Sequence, residues 1–192
     1  PELTDLFFLR YDVLNLKLLL KAKYLDQDVK DLLIPAGTLS PEHLATIVAE
    51  GNWKLLPEEL AQAVREIEGL MAEAPDPQQV DTLLDKAHYS YLLRILRQQG
   101  EDFLVDLITV QVDLINIRTF VRVRHVAGGD AVRVRELLPA VLIPGGKLKL
   151  DFFLGQVEEQ LSAFADRFAK EPIGPVVTEG LAAWQREGSL AR

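Results

Sequence analysis

The 192-residue chain has no cysteine, one methionine, two tryptophans and three histidines. Without thiols it has no disulfide framework, no thiolate metal site and no cysteine nucleophile, and it is compatible with a reducing compartment. Long apolar runs are absent too. Segments such as LLPAVLIP (Leu137–Pro144) fall well short of the roughly 20 residues that a bilayer-spanning helix needs. The chain opens on Pro1 rather than Met and has no basic, signal-like start, so it reads as a trimmed or excised piece.

Positive charge is in short supply: 21 Lys and Arg against 29 Asp and Glu give a net charge of -8. That balance argues against a general nucleic-acid binder, whose affinity rests on cationic side chains neutralising phosphates. His43, His88 and His125 are scattered, with no second ligand at helical spacing, so packing or surface roles are expected and no metal site is. PGGK (Pro144–Lys147) lacks the phosphate-loop spacing and has Leu148 where a hydroxyl would meet magnesium, which leaves a tight turn. Glu58-Glu59 and Glu158-Glu159 are adjacent in sequence and therefore do not share a helix face as an acid–base pair. Neither an activated nucleophile nor a cofactor fingerprint is present, so no catalytic, cofactor or metal residue is nominated.

What the chain does contain suits a globular protein: 48% hydrophobic and 26% charged residues. At this length a compact fold buries roughly 70% of the unfolded surface. The most informative feature is a repeated sentence. YDVLNLKLLLKAK (Tyr11–Lys23) returns as VDLINIRTFVRVR (Val112–Arg124). Aligning Asp5–Leu25 with Asp106–Val126, an offset of 101, pairs Asp5 with Asp106, Leu6 with Leu107, Asp12 with Asp113 and Asn15 with Asn116 as identities, and Lys17, Lys21 and Lys23 with Arg118, Arg122 and Arg124.

The first copy continues LLIPAGTLSPEHL (Leu32–Leu44) and the second VLIPGGKLKLDFFL (Val141–Leu154). Ile34 now matches Ile143 at an offset of 109, which places 8 extra residues near GGDAVRVRELLPA, an insertion that a loop would tolerate. A fainter match, LLPEELAQA (Leu55–Ala63) with VVTEGLAAW (Val176–Trp184), aligns Leu60 with Leu181 at an offset of 121. Three matches in one order imply duplicated small domains. The expected organisation is a first helical unit over 1–73, incomplete at its start, a second over 74–187, and 188–192 leading onward. APDPQQVD (Ala74–Asp81) is the expected boundary.

The repeated segments predict helices. Leu6, Leu9, Val13, Leu16 and Leu20 recur at spacings of 3, 4, 3 and 4, and Leu14, Leu18 and Leu25 predict a second buried side. Asp76-Pro77 and Ser40-Pro41 are helix starts, Pro57 precedes another, and Gly100 and Gly128-Gly129 are stops. Asp151–Ala169 predicts one amphipathic helix despite Gly155, and Val176–Arg186 another. Strand-like alternation is confined to VRVR at Val132–Arg135 and at Val121–Arg124. The fold class is all-α, built of duplicated helical units without significant β-sheet.

Asp12 and Asn15, like Asp113 and Asn116, lie three residues apart on one helix face. A functional pair and a structural polar bridge both fit. The bridge is preferred, because a buried amide must find partners and a duplicated fold keeps its internal supports. The basic positions on the same helices read as solvated faces paired with plentiful carboxylates.

D-x-x-N-[LI]-[KR] with a downstream L-I-P-[AG]-G turn resembles the C subunit of the V-type or archaeal A-type ATPase, known in eukaryotes as the d subunit. The likeness runs over nearly the whole chain, and repetition in register gives it specificity. It implies an all-helical protein of three related units arranged as a funnel. An opening helix would then precede Pro1, and a third D-x-x-N copy would follow Arg192. It also implies a non-catalytic central-stalk rotor component between the proteolipid ring and the central shaft, in a complex that makes or consumes ATP and moves protons or sodium. Such a component is cytoplasmic and held at the membrane by its partners, with no span, no nucleic acid and no cofactor of its own. The Gly128–Pro139 insertion and the two L-I-P turns are the places to probe for partner contact. Rival readings are an unrelated all-helical adaptor or scaffold, and an all-α enzyme using a carboxylate site.

Overall fold

The computed structural model describes residues 2–25, 27–73 and 76–187. Among them are nine α-helices, two 3-10 turns and no strand. Residues group into two compact units, Pro1–Ile108 and Thr109–Arg192.

In the first unit α1 (Leu3–Leu25) buries the stripe Leu6, Leu9, Val13, Leu16 and Leu20. The second buried side expected from Leu14, Leu18 and Leu25 does not form: Leu14 and Leu25 are 43% and 48% exposed and Leu18 is half-buried. Helices α2 (Pro41–Glu50) and α4 (Pro77–Gln99) pack on α1 and cover a single stripe. Ser40 caps α2 by accepting from the His43 N–H, and Asp76 caps α4 by accepting from the Gln78 N–H. Gly100, in the left-handed region at φ 75°, ends α4 by donating to the Arg97 carbonyl. Helix α3 (Glu58–Glu73) packs along α4 and completes a core that includes Leu16, Leu20, Leu44, Ile47, Leu60, Val64, Ile67, Val80 and Leu84. Each such side chain contributes about 1.5–3 kcal/mol on full burial.

The compact grouping divides within α5 (Asp102–Val126), past the stretch 74–81 where the sequence put its boundary. The reason is α4, which packs on α1 and α3 and so belongs by contact with the first unit. Residues 74 and 75, and the onward connection expected at 188–192, lie outside the described residues.

In the second unit α5 ends at two glycines of positive φ, 63° and 82°, with the Gly129 N–H donating to the Arg124 carbonyl. The region of extra residues then forms α6 (Ala131–Val141) and is not a loop. Asp130 accepts from the Val132 and Arg133 N–H groups at its start, and Val134 and Leu138 are buried four residues apart. VRVR is thus helical at both of its sites.

The single helix expected over Asp151–Ala169 is instead α7 (Leu150–Leu154), a turn, and α8 (Leu161–Asp166). Fully buried Phe153 and Phe164 both rest on Phe120, with ring centroids 5.5 Å and 5.0 Å away. In a straight helix those two phenylalanines would stand about 16 Å apart along the axis, too far for one ring to meet both. The aromatic core therefore requires the chain to fold back. Helix α9 (Gly174–Glu187) packs on α8 and closes the unit with Val177 and Leu181.

Candidate functional site

Asp12 and Asn15 project from the middle of α1 and are 3% and 1% exposed. A carboxylate and an amide so deeply buried must be satisfied by the protein. Asn15 does this by closing a ring with the backbone of Ile34: its Nδ2 donates to the Ile34 carbonyl and its Oδ1 accepts from the Ile34 N–H, each at 2.8 Å. Asp12 accepts from the Thr38 N–H at 2.8 Å, from the Thr38 hydroxyl, and from the Leu39 N–H at 3.1 Å. Together they clasp the I-P-A-G turn to the helix. Gly37 lets the turn approach, since a Cβ there would lie 1.9 Å from Asp12 Oδ1.

The same geometry stands in the second unit. Asn116 exchanges two 2.8 Å hydrogen bonds with the Ile143 backbone. Asp113 accepts from the Lys147 N–H at 3.1 Å and the Leu148 N–H at 2.9 Å. A Cβ on Gly146 would come within 2.2 Å of Asp113 Oδ1. Lys147, which carries no hydroxyl, stands where Thr38 does. Insertion of α6 lengthens the path from Asn116 to Ile143 without disturbing the clasp, because both of its ends are anchored.

The basic face of α1 meets α4 and α3. Lys17 pairs with Asp85 at 2.7 Å, Lys21 with Asp81 at 2.6 Å and Lys23 with Glu68 at 3.1 Å. Glu68 also accepts from the Trp53 indole N–H at 2.9 Å, and Lys23 lies over that ring. Sequence reading named the cations but not their partners. The signal was present in Asp81 and Asp85, spaced four apart like Lys17 and Lys21. In the second unit Arg124 leans on the face of Phe120, and burial lowers its pKa.

Other titratable groups are dispersed. His88, on α4, is 7% exposed, and its Nδ1 has no hydrogen-bond partner among the described residues. Burial, and then the nearby Lys17 and Arg10 charges, push its pKa down to about 4. His125 meets the Trp184 ring edge-on at 5.1 Å, and His43 gives its backbone N–H to the Ser40 cap. Glu59 is gripped by Arg94 and Glu159 by Arg167, and the arginine hydrogen bond lowers the pKa of each carboxyl. Glu158 pairs with Arg135. Among the described residues no group of three or more His, Asp or Glu side chains is arranged to hold a metal ion, and no helix is long and apolar enough to cross a membrane. A cavity of about 170 Å³ beside Asp12 is walled mostly by Leu6, Leu9, Leu16, Leu44 and Leu60, with Asp5 and Tyr91 also in its lining. What this arrangement does is hold: two long helices are each pinned to a distant turn by buried polar groups.

Residues 1–191 match the family described as ATP synthase (C/AC39) subunit. Among curated proteins the chain is 27% identical over 166 residues to the C subunit of the V-type sodium ATPase of Enterococcus hirae, covering 85% of this chain and 48% of that protein. It is 28% identical over 145 residues to the C subunit of the A-type ATP synthase of a Desulfurococcus species, covering 73% of this chain and 38% of the relative. Against the C subunit of the A-type ATP synthase of Methanosarcina acetivorans it is 28% identical over 153 residues, covering 74% and 41%. The chain thus spans half or less of the length of these relatives. No solved structure matches it.

Proposed function

This chain belongs to the ATP synthase (C/AC39) subunit family, and from that premise we propose that it serves as a non-catalytic central-stalk component of a V/A-type rotary ATPase. In this reading it couples the proteolipid ring to the central shaft in ATP-linked proton or sodium transport. It sits at the cytoplasmic face of the membrane through those partners and turns with them. The observation that carries the reading is the family match over residues 1–191.

The clasps supply the physical reason why such a chain suits the task. Torque passes through a part that deforms little, and close-packed interiors transmit strain. A hydrogen bond to a charged group contributes about 1.5–3 kcal/mol net. The three donors on Asp12 therefore fix the I-P-A-G turn to α1 more firmly than apolar contact alone. ATP chemistry takes place on other subunits.

The test is a rotary complex assembled with and without this protein. With it, ATP hydrolysis should drive ion uptake into vesicles. Without it, hydrolysis should continue while uptake falls to background and the shaft no longer copurifies with the ring. Undiminished ATP-driven uptake in its absence would overturn the proposal.

A further inference from the structure

The cavity beside Asp12 lies wholly within the first unit and measures about 170 Å³. Its inner wall is leucine, with Leu6, Leu9, Leu16, Leu44 and Leu60 all buried. Half-buried Asp5 and Tyr91 line it where it meets solvent, together with exposed Thr38 and Leu55. Two carboxylates, Asp5 and Asp12, thus belong to the lining, and among the described residues no Lys, Arg or His does. Asp12 is taken up by the clasp, and Asp5 accepts from the Glu2 N–H at 3.2 Å. Arg94 lies over the Tyr91 ring, but Glu59 grips its guanidinium through two hydrogen bonds.

The second unit carries in its sequence what this space lacks. In the register of the repeat Asp5 corresponds to Asp106, and at the offset of 109 Thr38 corresponds to Lys147 and Leu44 to Phe153. The second copy therefore supplies an ammonium on a butyl stem of its own and a larger, fully buried ring. The first copy has a hydroxyl and a smaller leucine there, and it keeps both the volume and the carboxylate. We infer that the first unit's cavity binds a small primary alkylamine of butyl to pentyl size, with its chain among the leucines and its ammonium on Asp5. An apolar cavity of about 150 Å³ accepts a benzene-sized guest, so this one has room for such a chain. Leucine walls favour its transfer from water. A carboxylate at an apolar mouth attracts a cation more strongly than one in open water. Half-buried Asp5 also leaves the ammonium partly hydrated, which avoids the cost of burying a bare charge. The inference rests on the cavity and the register, and not on the coupling role.

The test is a titration of the purified protein with n-butylammonium chloride at constant ionic strength, following backbone amide resonances by NMR. Saturable shifts should appear at Thr38, Leu39 and Leu56, which line the cavity. The neutral chain n-butanol should bind at least about ten-fold more weakly, since it lacks the charge that Asp5 attracts. Asp5→Asn should weaken n-butylammonium by a similar factor and leave n-butanol unchanged, which shows at once that the cavity is intact. Thr38→Lys builds the second copy's ammonium into the first and should abolish saturable binding of n-butylammonium. Dispersed amide spectra establish that each variant is folded. The inference is overturned by n-butanol binding as tightly as the amine, because that describes an apolar hole alone. It is equally overturned by undiminished amine binding in either variant, by shifts scattered over surface carboxylates, or by the absence of saturation. Loss of ATP-driven ion uptake would leave these results unaffected, so the two proposals fail separately.

Discussion

Asn116 and Ile143 hold each other by two hydrogen bonds of 2.8 Å across a stretch that contains the whole of α6. Asn15 and Ile34 make the same ring, but Ile34 is 37% exposed where Ile143 is 7% exposed. Water can therefore replace a lost partner at Ile34 more readily than at Ile143. Asn116→Ala should cost about 1–3 kcal/mol, the penalty for a buried unpaired group, and Asn15→Ala measurably less. Urea titration followed by circular dichroism ranks them; equal midpoints would sink the idea that burial sets the difference.

Gly37 and Gly146 lie against the clasp carboxylates, where an added Cβ would stand 1.9 Å from Asp12 Oδ1 and 2.2 Å from Asp113 Oδ1. Their replacement by alanine must displace the carboxylate or the turn, at a cost of about 1–3 kcal/mol. Gly69, inside α3 with open space around it, is the contrasting site. Gly69→Ala should stabilise by about 0.5–1 kcal/mol through helix propensity and a less flexible unfolded chain. Thermal melts of the three variants are expected to shift down, down and up; an unshifted Gly146→Ala would show that the close approach carries no energy.

His88 gives stability a dependence on pH. Its folded pKa of about 4 lies below the ordinary 6.5, through burial first and then the Lys17 and Arg10 charges. The unfolded chain therefore takes up a proton that the folded one refuses. This contribution is complete above pH 6.5 and is lost as pH falls towards 4, by up to about 3 kcal/mol. Urea midpoints measured at pH 7.5 and pH 5 should differ, and His88→Phe should reduce the difference. A variant whose pH dependence equals that of the parent would remove His88 as its cause.

Phe164 is fully buried, with Phe120 and Phe168 at centroid distances of 5.0 Å and 5.3 Å. Truncation to alanine opens a cavity that α8, a helix of six residues, has little means to close. A loss of about 3–5 kcal/mol is expected. Hydrogen exchange should show α7 and α8 losing protection before α2 and α3, because the two units have separate cores. Uniform loss of protection would mean that the units unfold together.

The ion pairs on α1 should matter far less. Asp85 and Asp81 are 37% and 42% exposed in their pairs with Lys17 and Lys21, so each contributes about 0–1 kcal/mol. A double-mutant cycle on Lys17 and Asp85 reads the coupling directly, and a value well above that range would point to a drier contact than the exposure implies.

Some of this was legible along the chain because its causes are local. The apolar stripe of α1, the Asp76 and Ser40 caps and the stops at Gly100 and Gly128 depend on neighbours within a turn or two, which periodicity and cap chemistry report. The matched Asp-x-x-Asn pairs were visible for the same reason, and so was the family. Three expectations were overruled by contacts from far along the chain. The helix over 151–169 yields to Phe120, the loop around 130–139 becomes α6 because Val134 and Leu138 find a core, and Leu14 stays exposed because α2 and α4 cover only one side of α1.

By itself, then, the sequence determined helices α1 to α5 and α9, their main apolar stripes and the residues that recur in register, since backbone propensity and capping act over a few residues. Only the tertiary structure decided which backbone groups Asn15 and Asp12 satisfy and which carboxylates Lys17 and Lys21 meet. Those partners lie tens of residues away along the chain. A buried polar group announces in the sequence that it needs a partner, but only the packed core selects which one it gets.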